Sequence, residues 1–162
     1  MAKQKPDLAE PAAEERLAGF LAKFTPEIAA FAQASLFRMR ARLPGAMELV
    51  YDNYNALAIG FGPTERSSDA VFSIAVFPRW VSLFFLKGKG LPDPDGLLQG
   101  KGNVVSHIVL KAPAEIDSPP IQALIVLALE AAGFAPGAGP AGRLVIKSVP
   151  AKQRPRRPAR PA

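Results

Sequence analysis

The chain has 162 residues, almost half of them apolar, which is enough to bury the core of one domain. It contains no cysteine, which excludes disulfides, thiolate catalysis and cysteine-ligated metal centres. The net charge of +6 arises at the end of the chain, because residues 1–146 carry 14 basic and 14 acidic side chains. The high isoelectric point therefore does not by itself predict a domain that binds nucleic acid. The sequence shows no signal peptide and no run of membrane-spanning length, which predicts a cytoplasmic protein without membrane contact.

Helical patterns lie on both sides of the middle of the chain. Residues 1–24 are predicted to form a charged leader and a first helix, with apolar residues at three- and four-residue spacing from Leu17 to Phe24. A second helix is predicted to begin at Thr25, which is followed by proline and an acid, as is common at helix N-termini. The last helix is predicted to begin near Ser118 and to end at Gly133.

The middle of the chain contains apolar runs that are typical of β-strands. Pro78 and Arg79 separate two apolar runs and predict a hairpin. The predicted fold class is α+β, an antiparallel sheet of about five strands packed by N- and C-terminal helices. The predicted strands cover residues 47–51, 55–61, 71–77, 80–87 and 104–110.

The C-terminal part is rich in glycine, proline and basic residues. Residues 134–149 are predicted to be a linker followed by an edge strand, and residues 150–162 a disordered basic tail. Such a tail either solubilises the protein or contacts nucleic acid non-specifically, without base stacking because it has no aromatic residue. The nucleic-acid candidates are Lys152, Arg154, Arg156, Arg157 and Arg160.

Polar and aromatic residues at the strand ends predict a ligand pocket against the sheet. Asp52, if buried, needs hydrogen-bond partners, for which Asn53 and Asn55 are candidates. His107 is the only histidine, so a histidine-based metal site within one chain is excluded. The predicted ligand-binding residues are Tyr51, Asp52, Asn53, Tyr54, Trp80, Lys101, Asn103 and His107.

Several segments together resemble the YdhG-like domain of unknown function, over roughly residues 25–133. The resemblance implies a frataxin-like sandwich with an antiparallel sheet, and one family member is described as an intracellular iron chaperone. Because acids and bases alternate near the N-terminus, no iron site is carried over to this chain. The segments that carry the resemblance are Tyr51–Leu57, Pro78–Trp80, Leu91–Pro94, Leu97–Asn103, His107–Leu110 and Ile116–Ile125.

These patterns favour a small cytoplasmic binding or accessory domain whose partner is a small ligand or a protein. No nucleophile and base pair is recognisable, so the sequence predicts a non-catalytic protein with no catalytic residue, cofactor or metal site. Two alternatives stay open. One is a nucleic-acid-associated protein that acts through its basic tail, and the other is an iron chaperone, which the family resemblance implies.

Overall fold

The structure is a computed structural model that describes residues 6–100, 104–139 and 142–158. Three α-helices and six β-strands make up this part of the chain, which has the predicted α+β class. In chain order the elements are α1 (Pro6–Leu21), α2 (Pro26–Arg42), β1 (Met47–Asp52), β2 (Leu57–Gly62), β3 (Phe72–Val76), β4 (Val81–Phe85), β5 (Ser106–Leu110), α3 (Pro119–Ala132) and β6 (Leu144–Ser148).

The six strands form one mixed sheet in the order β5-β4-β3-β2-β1-β6. Strands β1 to β5 pair antiparallel with their sequence neighbours, and the hairpin between β3 and β4 is closed by Phe77 N–H donating to the Trp80 carbonyl at 2.9 Å. The prediction of a purely antiparallel sheet of about five strands is wrong in one respect. The predicted edge strand joins the sheet as β6, which runs parallel to β1.

The two faces of the sheet differ because neighbouring residues of a strand point to opposite sides. One face is apolar and belongs to the same buried cluster as the inward sides of the three helices, with Ile59, Ile74 and Leu83 fully buried at its centre. The opposite face carries small residues in its middle, such as Ala75 and Ser82, which lie outside that cluster. Helical packing therefore buries the first face.

Two helix ends confirm local predictions. Thr25 caps α2, since its hydroxyl oxygen accepts the Ile28 N–H at 3.2 Å. Gly133 ends α3 at φ 67°, a left-handed conformation that glycine adopts without a steric penalty. Among the described residues, no helix combines the length and apolar character needed to cross a bilayer.

Candidate ligand-binding site

Asp52, the last residue of β1, is the buried carboxylate on which this region depends. It points to the core face and has no exposed surface. Arg156 Nη2 donates to its Oδ1 at 2.9 Å, and Gln153 Nε2 donates to its Oδ2 at 2.5 Å. The predicted partners Asn53 and Asn55 do not fill this role. Instead, Arg156 compensates the buried charge, and Lys23 lies 3.8 Å from Oδ2 at the exposed side.

The C-terminal segment, defined here as residues 150–158, is held against the domain by these contacts. Arg156 has a side-chain exposure of 3 % and also donates to the Asn53 carbonyl at 2.6 Å. Its guanidinium lies 5.6 Å from the centre of the Phe24 ring. In residues 150–158 of the predicted tail, a buried acid and exposed backbone carbonyls thus supply hydrogen-bond partners that composition does not reveal.

A second set of contacts joins the segment to the C-terminal end of α1 and to the β1–β2 turn. Arg157 Nε donates to the Lys23 carbonyl at 3.1 Å, just beyond the C-terminus of α1, where a cation is favourable. The Arg154 N–H donates to the Tyr54 carbonyl at 2.9 Å. Main-chain and side-chain bonds therefore fix Arg154, Arg156 and Arg157, with only Arg156 buried.

A pocket of about 510 Å³ lies between this segment and the β3–β4 hairpin. We call it the arginine–aromatic pocket. Its volume falls within the range of about 300–1,000 Å³ that is usual for small-molecule sites. Its lining residues are Asn55, Phe77, Pro78, Arg79, Trp80, Arg154, Pro155 and Arg157.

The aromatic wall of the pocket is a stacked pair. The rings of Phe77 and Trp80 lie 4.6 Å apart at an interplanar angle of 17°, and Trp80 keeps 42 % of its surface exposed. Since Phe77 is the more buried partner, Trp80 presents an indole surface at the edge of the pocket. Such a surface can stack on a planar group of a ligand.

The pocket is strongly cationic. Three of its lining residues are arginines and, among the described residues that line it, none is acidic. None of the three guanidinium groups lies within 4.0 Å of a carboxylate in the described part of the chain. Guanidinium groups bind carboxylates and phosphates through paired hydrogen bonds, so the site suits an anion.

A cavity of similar size, about 520 Å³, differs in its electrostatics. Its Arg40 donates from Nε and Nη2 to the half-buried Glu48 carboxylate, at 2.7 Å for the shortest contact. Burial lowers the pKa of Arg40, but the hydrogen bonds and charge of Glu48 outweigh that effect and raise it overall. Arg143, on the same cavity, pairs with Glu65. Because these charges are compensated within the protein, the arginine–aromatic pocket is the stronger candidate.

The structure separates the residues predicted to bind a ligand. Trp80 lines the pocket. Tyr51 and His107 lie on the sheet face opposite to Asp52. They are also far from each other, because β1 and β5 are separated by four strand spacings, or roughly 19 Å. His107 stacks on Phe84 with the ring centres 5.0 Å apart.

The remaining predicted residues have other positions. Asn53 and Tyr54 are exposed in the β1–β2 turn and offer their carbonyls to the C-terminal segment. Lys101 and Asn103 lie outside the described residues. The predicted residues therefore do not form one pocket.

The residues predicted for nucleic acid also divide. Arg154 and Arg157 line the pocket, Lys152 is exposed, and Arg156 is buried against Asp52. Arg160 lies outside the described residues. The basic segment thus contributes Arg154 and Arg157 to the pocket, and its third described arginine, Arg156, holds the segment against Asp52.

Sequence reasoning missed Asn55, Phe77 and Arg79 as site residues. The sequence pattern places Phe77 in a strand and Arg79 in the hairpin connection, but an arginine next to the single tryptophan of the chain is also a usable signal for an anion site beside an aromatic ring. No local pattern indicated that this hairpin meets the C-terminal segment.

The structure has an α+β fold and a cationic pocket with an aromatic wall. The chain matches no protein-family model, no curated protein and no solved structure. Within the described residues, no group of three or more histidine, aspartate or glutamate side chains is placed to hold a metal ion.

Proposed function

We propose that this protein is a non-catalytic binding domain that takes an anionic ligand with a planar ring in the arginine–aromatic pocket. The observation that carries the proposal is the convergence of three arginines and an exposed indole on one cavity without a carboxylate. The anionic group would accept hydrogen bonds from the guanidinium groups, and the ring would stack on Trp80.

The lining supports binding rather than catalysis. Acid–base or nucleophilic chemistry needs a group that exchanges protons or attacks near the reacting atom. Among the described residues that line the pocket there is no aspartate, glutamate, histidine, lysine, serine or tyrosine. The asparagine and arginines can orient a ligand and neutralise its charge.

We further propose, on the family resemblance, that the α+β fold is the frataxin-like sandwich of the YdhG-like family. The helical layer and the antiparallel order of β1 to β5 are in keeping with that resemblance. The alternative of an iron chaperone rests on the resemblance alone. A cationic pocket repels a metal ion, so the geometry favours an anionic ligand.

Trp80 provides the test, because it is the only tryptophan in the chain and lies in the pocket. We expect phenyl phosphate to change the Trp80 fluorescence saturably, and phenol or inorganic phosphate alone to bind more weakly. Replacing Arg79 and Arg154 together by glutamine should weaken binding while leaving the buried Arg156 contacts in place. Arg66→Ala, a change at an exposed arginine of a distant loop, is the matched control. An equal response in both variants, or no saturable response, would refute the proposal.

A further inference from the structure

We propose that the natural ligand of the arginine–aromatic pocket is a nucleotide unit of a single-stranded nucleic acid, an inference that rests on the proposed function. The sequence alone gave the basic tail no aromatic partner for a base. The structure supplies one, because the β3–β4 hairpin places Trp80 beside Arg154 and Arg157. Positive charge and a stacking surface are the two features that single-strand binding sites combine.

The placement of the cations favours a strand over an isolated aromatic acid. Arg79 belongs to the hairpin wall, next to Trp80, and Arg154 and Arg157 belong to the facing C-terminal segment. Cations therefore lie on two sides of the stacking surface. A base within a strand has a phosphate on each side, so it matches this arrangement, whereas an aromatic acid with one anionic group uses one wall.

The pocket also distinguishes single strands from duplexes. Trp80 is 42 % exposed at the edge of a recess, so a base must leave its own stack to reach the indole. Bases in a duplex are stacked on their neighbours and are not available in this way. Asn55, whose side chain lies 3.5 Å from Arg154 Nη1, offers amide groups for a base edge.

The remaining basic residues extend the contact beyond the pocket. Lys152 is exposed and precedes Arg154 in the same C-terminal segment. Arg156 makes no contribution of this kind, because its guanidinium is already committed to Asp52. The interaction is thus expected to need the docked C-terminal segment and not merely its charge.

The experiment measures binding of labelled oligothymidylate and oligouridylate of about twelve nucleotides, within the site sizes of single-strand binders. Fluorescence anisotropy reports affinity, and Trp80 fluorescence reports occupation of the pocket. A duplex of the same length and uridine monophosphate are the comparison ligands. We expect both single strands to bind with a change in Trp80 fluorescence and the duplex to bind more weakly.

Two variants test the residues. Trp80→Leu should weaken single-strand binding by about 5- to 150-fold, the usual effect of losing one base stack. Arg79→Gln combined with Arg154→Gln should reduce the slope of log K against log salt by about 1.4, because each phosphate contact on a single strand contributes about 0.7. Lys152→Gln, outside the pocket, should lower affinity without altering the Trp80 signal.

Different failures have different meanings. If phenyl phosphate binds but neither the oligonucleotides nor uridine monophosphate do, this inference is wrong and the proposed function stands. If uridine monophosphate binds as tightly as the oligonucleotides, the ligand is a free nucleotide and the strand is excluded. If none of these ligands changes the Trp80 signal, the inference and the proposed function both fail.

Discussion

Replacing Arg156 by methionine should release the C-terminal segment from the domain. Methionine keeps an unbranched apolar side chain that can still pack near Phe24, but it removes the guanidinium that lies 2.9 Å from Asp52 Oδ1. Asp52 has no exposed surface, so its carboxylate would remain buried with Gln153 and, at 3.8 Å from Oδ2, the half-exposed Lys23 ammonium as its remaining partners. The longer ion pair with a half-exposed lysine compensates the buried charge less well than the buried guanidinium does, so the substitution should be destabilising.

The expected loss of stability follows from the burial of both partners, since the Arg156 side chain is 3 % exposed and the Asp52 side chain 0 %. Removing one partner of such a pair costs about 3–5 kcal/mol of unfolding free energy. The segment can, however, detach and allow water to reach Asp52, so the loss cannot exceed the free energy of docking. A deletion of residues 151–162 measures that upper limit, and Arg156→Met should lose no more than the deletion does.

The assay is urea unfolding, combined with hydrogen exchange of residues 150–158. Arg154→Met is the matched control, since it makes the same chemical change at an exposed arginine of the same segment and should alter stability by less than about 0.5 kcal/mol. Asp52→Asn should destabilise as well, and combining it with Arg156→Met should cost less than the sum of the two. Equal stability of Arg156→Met and Arg154→Met, with unchanged exchange, would refute the reasoning.

Two further substitutions test local features of the fold by unfolding free energy. Thr25→Ala should lose about 0.5–2 kcal/mol, because it removes the cap of α2. Ser118→Ala is its control and should lose less, since the Ser118 hydroxyl caps no N–H of α3 and only donates to the Glu115 carbonyl; equal losses would contradict the capping argument. Gly62→Ala should lose about 1–3 kcal/mol, because the added Cβ would lie 2.8 Å from the Ala70 backbone. Gly19→Ala, in the open on α1, should instead gain about 0.5–1 kcal/mol, and a loss there would count against the helix assignment.

Local chemistry made most of the fold predictable. Two apolar runs and the short Pro78-Arg79 connection between them indicated β3 and β4, and their antiparallel pairing follows from the tight hairpin. Thr25 predicted the start of α2, because threonine is a preferred N-cap residue. The parallel pairing of β6 with β1 was not predictable, because it joins Glu48 to Leu144 across most of the chain and no turn fixes that register.

The site was harder to predict because it depends on contacts between distant segments. Composition indicates disorder for the C-terminal segment, which has no apolar side chain larger than proline or alanine after Val149. Its docking instead relies on charge, with Asp52 as the buried partner. One signal was present, since an acid at the end of an apolar strand requires a compensating group and the surplus positive charge lies only at the end of the chain.

The buried pair and the proposed binding site are parts of one structural unit. Arg154 and Pro155 precede Arg156, Arg157 follows it, and these three neighbours line the pocket. The bond between Arg156 and Asp52 therefore positions one wall of the site without touching the ligand. A ligand that binds only the docked segment must stabilise docking in return, by about 2.7 kcal/mol at a hundred times its dissociation constant. Docking and binding are then linked, so a change at Asp52 is expected to weaken binding as well as stability.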